Sequence, residues 1–323
     1  ELDGISKEFT PGYDQYLVDI GEGDQLRPDA LEYIEISEEK EEETAVFGEI
    51  GFDITDAWQV TVGGRWFKYD VETSGGFNTP LFNTVVFGDD PNLIEVDSQV
   101  NEVDDDDFIL KLNTSYHFND DVMGYLTVSE GYRLGSPNSV VECPNPLPPN
   151  IQNLCAKPDE ILVKSDTVLN YEIGVHSQIG DSAVLNAAVY YIEWDDIRVD
   201  DVTENGDLPI FTNGGEAVSQ GLEVSGTFQI TPDLSINGSY SYNKAELTEN
   251  APGIVDGVDG EDGDRLPGTP EHQVYLAANY LCALEDGSEL NWDWNMVAQS
   301  DVYTKVGNRN NGETLSGFAL HNV

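Results

Sequence analysis

From Leu169 to Ile197 the chain reads LNYEIGVHSQIGDSAVLNAAVYYIEWDDI, and its apolar residues keep to one parity. Leu169, Tyr171, Ile173, Val175 and Ile179 alternate with Asn170, Glu172, His176 and Gln178. After Gly180-Asp181-Ser182 the rhythm resumes at Leu185, Ala187, Val189 and Tyr191. A period of two marks a strand with one oily and one polar face. Both runs are longer than ordinary strands and the turn between them is minimal, which makes them antiparallel neighbours. Whatever fold this chain adopts must accommodate long strands that are wet on one side only.

The pattern recurs along the sequence. Trp58, Val60, Val62 and Trp66 oppose Gln59, Thr61, Arg65 and Tyr69. Phe108, Leu110, Leu112, Tyr116 and Phe118 alternate with Lys111, Asn113, Ser115 and His117. Leu222, Val224 and Phe228 oppose Glu223, Ser225 and Thr227, and Ile236, Tyr240 and Tyr242 oppose Ser235, Asn237, Ser239 and Ser241. Leu290, Trp292, Trp294 and Met296 oppose Asn291, Asp293 and Asn295. Eleven strands are expected, near 35–54, 58–73, 105–118, 122–133, 166–179, 183–199, 217–230, 234–247, 271–283, 289–303 and 315–323.

Connections alternate as well. Short turns are expected at Thr55-Asp56, Asn119-Asp120, Gly180-Asp181, Thr231-Pro232-Asp233 and Glu285-Asp286-Gly287. Long polar segments fill 74–104, 134–165, 200–216, 248–269 and 305–314. A soluble sandwich has no reason to gather its long loops at one end, whereas an outer-membrane barrel does so by construction. Aromatics sit near strand ends: Trp58, Phe118, Phe228 and Trp292 beside short turns, and Trp66, Trp194 and Tyr242 toward long loops. Two such girdles are expected where a barrel wall meets lipid headgroups. The fold class is therefore all-β, an antiparallel up-and-down transmembrane β-barrel with the odd parity after Leu169 in hydrocarbon and the even parity in a polar lumen.

Charge is the outlying total. Fourteen Lys and Arg stand against 62 Asp and Glu, a net charge of -48. Such a surface repels phosphates, so no nucleic-acid partner is expected. Adaptation to a saline habitat and attraction of a cationic or metal-bearing ligand both account for the acidity. The mean hydropathy of -0.36 does not argue against a barrel, because alternation hides apolar residues from averages. Cys143 and Cys155 bracket the Pro- and Asn-rich CPNPLPPNIQNLC, which suits either a local disulfide in an oxidising compartment or two unpaired loop thiols. The chain opens at Glu1 and stops at Val323 within an expected strand, consistent with part of a longer exported protein.

Five segments together resemble the barrel of TonB-dependent receptors: TAVFGEIGFDITDAWQVTVGGRWFKYD (44–70), VSEGYRLGSPN (128–138), SDTVLNYEIGVHSQIGDSAVLNAAVYYIEWDDI (165–197), NGGEAVSQGLEVSGTFQITPDLSINGSYSYNKAEL (213–247) and RLPGTPEHQVYLAANY (265–280). They span nearly the whole chain in the family's order. The resemblance implies a 22-stranded barrel around an N-terminal plug, of which residues 1–323 supply about half the wall. It implies uptake of a scarce nutrient, such as a siderophore-iron complex, vitamin or glycan, energised by TonB through the plug. Outer-membrane lipid and lipopolysaccharide of a Gram-negative cell would surround it. A passive porin and a secreted soluble glycan-binding β-protein are the alternatives.

No catalytic constellation stands out: G-x-S-x-G, P-loop and H-E-x-x-H patterns are absent, and the four histidines lack ligand spacing. Neither an enzymatic role nor a cofactor is expected. Tyr132, Arg133, Asn138 and Phe211 are candidate contacts to an extracellular ligand. Arg65, Lys111, Glu172, Glu223 and Asp293 stand on the polar parity and are expected to line the lumen, facing a plug or pairing across strands. In DGVDGEDGD, Asp256, Asp259, Glu261, Asp262 and Asp264 are the hard oxygen donors Ca²⁺ prefers, or else solvated loop acids. The runs EISEEKEEE (35–43) and EVDDDD (102–107) are expected to project above the membrane, sharing divalent ions with lipopolysaccharide.

Overall fold

The alternation is realised in a single antiparallel meander. The computed structural model describes every residue except 1, 95, 97, 98, 148–154, 207, 256, 285 and 286. Twelve strands follow one another in sheet order as in sequence. They are β1 (Leu2–Phe9), β2 (Leu31–Thr55), β3 (Trp58–Asn78), β4 (Gln99–Asn119), β5 (Val122–Arg133) and β6 (Asp166–Ile179). The rest are β7 (Ala183–Asp195), β8 (Ala217–Thr231), β9 (Leu234–Leu247), β10 (His272–Ala283), β11 (Glu289–Gln299) and β12 (Phe318–Asn322). The other sheets among the described residues are two-stranded, so no second layer is stacked on the first, as the soluble sandwich required. No described helix is long and apolar enough to cross a membrane, which says nothing of a protein that crosses with strands.

Side chains close the short turns locally. Thr55 Oγ1 accepts the Ala57 N–H, Asn119 Oδ1 accepts the Asp121 N–H at 2.9 Å, and Thr231 Oγ1 accepts those of Asp233 and Leu234. A Thr or Asn that caps its own turn two residues on needs no longer loop. Gly180, at φ 55°, supplies the left-handed residue between β6 and β7.

Register then joins like to like. Val62, Leu112, Val128, Tyr171 and Tyr191 lie in one cross-strand row, as do Phe228, Ile236, Ala278 and Trp294. On the opposite face a row runs from His176 through Asn186, Ser225, Ser239 and Tyr275. A slip of one residue anywhere would carry a whole strand's apolar set to the wet face. Hydrogen bonds tie the polar rows together: Asn113 to Thr127 at 2.8 Å, Tyr125 to Glu172 at 2.6 Å, His176 to Asn186 at 2.7 Å and Asn322 to Asn295 at 2.9 Å.

The buried hydrophobic clusters lie toward the loop ends of the strands. Ile197, Val199, Ala217, Leu247, Ala251, Val255 and Val306 form one cluster; Val140, Ala156, Ile161, Leu208 and Ile210 form a second. Arg27, 2% exposed, locks the 10–30 loop to the 79–94 segment through Asp29, Thr84 and the Leu93 carbonyl. Phe67, Tyr69 and Val71 are also buried, although they continue the parity of Gln59, Thr61 and Arg65. The polar face thus turns apolar at its upper end, where loop residues cover it.

Several expectations are corrected. Twelve strands replace eleven: β1 has too little alternation in LDGISKEF to declare itself, and its order comes from pairing with Leu31–Glu39. Residues 198–199, 302–303 and 315 are not ends of wall strands, because Arg198–Val202 pairs with Pro209–Asn213 and Val302–Tyr303 with Thr314–Leu315. Trp194 does not belong to the outer girdle. It lies opposite Ala217 on the inner parity and donates from Nε1 to Asp166 at 3.3 Å.

Candidate ligand site at the loop end of the polar face

Strand β5 parts from β4 before it ends, while staying paired with β6 as far as Arg133 and Asp166. Its ladder with β4 stops at Lys111 and Ser129, and the Glu130 carboxylate accepts the next N–H, that of Leu110, at 2.7 Å. Released from β4, Tyr132 stacks on Phe67 with ring centroids 3.7 Å apart and donates its hydroxyl to Glu43 at 3.0 Å. Arg133, next along, forms a two-pronged ion pair with Asp166. Asp166 is buried, so the guanidinium and the Trp194 N–H together satisfy a carboxylate that water cannot reach.

The hairpin formed by Arg198–Val202 and Pro209–Asn213 brings a second guanidinium to the same place. Arg198 donates to the Leu134 carbonyl at 2.6 Å and lies 6.0 Å from the Phe211 ring centroid. Burial, and then the neighbouring Arg133, hold its pKa below the usual arginine value. A cavity of about 380 Å³ results, walled by Glu39, Glu41, Glu43, Tyr132, Arg133 and Arg198 together with Val71 and Leu134–Ser136.

Of the four expected ligand contacts, Tyr132 and Arg133 line this cavity, and Phe211 flanks Arg198 with its ring half exposed. Asn138 serves a different purpose. It is buried; its Oδ1 accepts the Phe211 N–H, and its Nδ2 donates to the Glu160 and Phe211 carbonyls. Every polar atom of that side chain holds loop backbone, leaving none for a ligand. Sequence reading missed Arg198, Glu39 and Glu41. The glutamates share the parity of Arg65 across β2 and β3, a usable signal; nothing in the sequence says that the Arg198 hairpin folds inward.

The expected lumen residues stand on the polar face but not in one cluster. Arg65 pairs with Glu43, and its Nε is buried without a partner. Glu172 accepts the Tyr125 hydroxyl, and Asp293 accepts the Asn279 amide. Glu223 lines a trough of about 470 Å³ with Tyr125, His176, Ser225, Ser239 and Tyr275. Lys111 faces Ser129 and Gly63 across its neighbours. Two tyrosines in this region cover glycines: a Cβ on Gly174 would lie 2.5 Å from the Tyr125 ring, and one on Gly221 2.5 Å from the Tyr190 hydroxyl.

In the acidic 248–269 loop, Asp264 and Glu261 are engaged by Arg309 from the neighbouring loop, and the guanidinium holds the Asp264 carboxyl below the usual range. Asp259 accepts the Gly253 N–H at 3.1 Å, and Asp256 lies outside the described residues. Asp262 donates its own N–H to Asn250. No cluster of three or more His, Cys, Asp or Glu able to hold a metal occurs among the described residues. One protein cation, Arg309, has taken two of the donors that a Ca²⁺ site in this loop would use. Cys143 and Cys155 are joined as a disulfide with their Cα atoms 4.9 Å apart.

A long meander with one oily face, one hydrogen-bonded polar face, short turns at one end and inward-folding loops at the other is the wall of a transmembrane β-barrel. The family described as TonB dependent receptor-like, beta-barrel matches residues 6–323, and the chain belongs to it. The ferrioxamine receptor of Yersinia enterocolitica is 29% identical over 120 residues, covering 37% of this chain and 15% of that protein. Among solved structures, the ferric yersiniabactin uptake receptor FyuA of Yersinia pestis superposes with a TM-score of 0.70 at 17% identity, over 91% of this chain and 39% of its own. The siderophore receptor PiuA of Acinetobacter baumannii gives 0.62 at 16% identity, over 90% and 37%. The chain therefore spans well under half the length of these relatives.

Proposed function

We propose that the protein to which this wall belongs takes up a siderophore-iron complex across the outer membrane of a Gram-negative bacterium, energised by TonB. The observation that carries this reading is the mouth of the polar face, where β5 and the Arg198 hairpin converge on a cavity with aromatic and charged walls. A passive pore needs no such convergence. The similarity to a ferrioxamine receptor supports iron complexes over vitamins or glycans. The polar rows around Glu172, Glu223 and Asp293 would then face a plug, and the oily rows would face lipid. The acidic outer surface above Trp66 would meet lipopolysaccharide, with divalent ions between.

The test is uptake of ⁵⁵Fe-loaded siderophores by cells carrying or lacking the full-length receptor. Accumulation should require the receptor and vanish when TonB is deleted or the proton gradient is collapsed. Influx that persists without TonB and scales with outside concentration would make the protein a porin instead.

A further inference from the structure

Arg198 is out of keeping with the rest of the chain. Carboxylates outnumber cations 62 to 14, yet among the described residues Arg198 has no ion-pair partner. Its Nε is buried and without an acceptor, and its bond to the protein is with the Leu134 carbonyl. Glu39 and Glu41 line the same cavity, likewise without ion pairs among the described residues. The remaining charged groups of the cavity are satisfied: Arg133 by Asp166, and Glu43 by Arg65 and Tyr132. Opposite charges therefore share a space of about 380 Å³ without closing on each other. A buried donor without an acceptor has given up water and gained nothing in return, a deficit that a guest's acceptor would relieve. A purely anionic guest would meet the two glutamates, and a purely cationic guest would meet Arg198.

We propose that this cavity recognises a zwitterionic group on the transported ligand, its carboxylate taken by Arg198 and its ammonium by Glu39 and Glu41. An α-amino acid or peptide-like terminus has that chemistry. The guanidinium offers the fork that a carboxylate fills with two parallel bonds, and the glutamates offer several acceptors to an ammonium. Phe211 beneath Arg198 and Tyr132 on Phe67 hold the site's walls in place. The inference rests on the siderophore reading above, and it concerns which part of the ligand the barrel mouth reads.

The experiment measures binding of four iron-loaded chelates to the full-length receptor in outer-membrane vesicles. All share the ferrioxamine B core and differ only at its terminal amine: free amine, N-acetyl, N-succinyl, and a β-aspartyl derivative carrying both α-ammonium and α-carboxylate. The aspartyl form should bind at least ten-fold tighter than the acetyl form. Arg198→Gln should abolish the advantage of the carboxylate-bearing forms, and Arg198→Lys should restore part of it. Glu39→Gln with Glu41→Gln should abolish the advantage of the ammonium-bearing forms. Heat-modifiable migration and loop protease resistance matching those of the native receptor show that the mouth of each variant has kept its shape. Equal binding of all four chelates to the native receptor, or a preference untouched by these substitutions, overturns the proposal and leaves iron uptake standing. Failure of the native receptor to bind any of the four overturns the proposal and the ferrioxamine-like reading of the ligand together.

Discussion

Asn138 shows how a single side chain can organise a surface that serves other residues. Its amide holds Phe211 and Glu160 from two different loops, and its own carbonyl accepts the Asn101 amide at 2.8 Å. Replacing it with Ala strands buried backbone groups, each worth about 1–3 kcal/mol. Asn138→Ala should therefore speed proteolytic cutting of the 134–165 loop and loosen ligand binding indirectly, with both effects tracking together in a protease time course. If affinity fell while the loop stayed resistant, Asn138 would be touching ligand after all. The sequence made Tyr132 and Arg133 legible because they close an alternating run just where a long loop begins. It left Arg198 and Glu39 obscure because they lie some 160 positions apart, and only the folding of one hairpin over the polar face joins them. Asn138 is ambiguous for a related reason: an amide next to a loop looks the same in sequence whether it faces a guest or, as here, holds backbone.

At the scale of the strand, parity carried nearly all of the information. Ile236 lies between Phe228 and Ala278, whereas Ser235, one residue away, lies between Gln229 and Asn279. Arg at Ile236 or Val224 should destabilise the full-length barrel by ~2–4 kcal/mol near the bilayer midplane, and Arg at Ser235 or Ser225 much less. Urea titration of receptor folded into lipid vesicles, followed by heat-modifiable migration, separates the two cases; equal losses on both parities would refute the sidedness. Turns and strand order were equally readable, since Thr55, Asn119 and Thr231 mark their own corners. Strand ends were less so. Loop hairpins such as Arg198–Val202 use the same β-forming residues as the wall and differ only in which partner they find. Nor did alternation foretell that Phe67 and Tyr69 would be buried on the polar side, because period two assigns a face without saying what covers it.

Over the whole molecule, the net charge of -48 works against compaction wherever carboxylates crowd. The crowding is densest where β2, β3 and β4 rise past the oily band: Asp70 stands opposite Asp104, and Glu72 opposite Glu102. Asp70, by hydrogen bond and then by charge, holds the Glu102 carboxyl above its ordinary value. A carboxyl raised in the folded state favours folding most below its unfolded pKa, and the benefit fades as pH climbs through the raised value. Proteinase K cutting within 68–107 should therefore slow on acidification from neutrality toward the carboxylate range. It should also slow when NaCl rises from about 0.05 M to about 1 M, as the Debye length shrinks to about 3 Å. Cutting indifferent to both would mean the repulsion is already neutralised by bound cations. Strand length has its own consequence. The 25 residues of β2 reach about 80 Å at ~3.3 Å each, while a tilted crossing uses about ten. The surplus sets the height of the rim as a mast sets the height of a sail. Trimming two residues at matching levels from each of the three strands would lower that rim by roughly 7 Å and leave inside and outside unchanged. Trimming one from each would turn everything above the cut inside out.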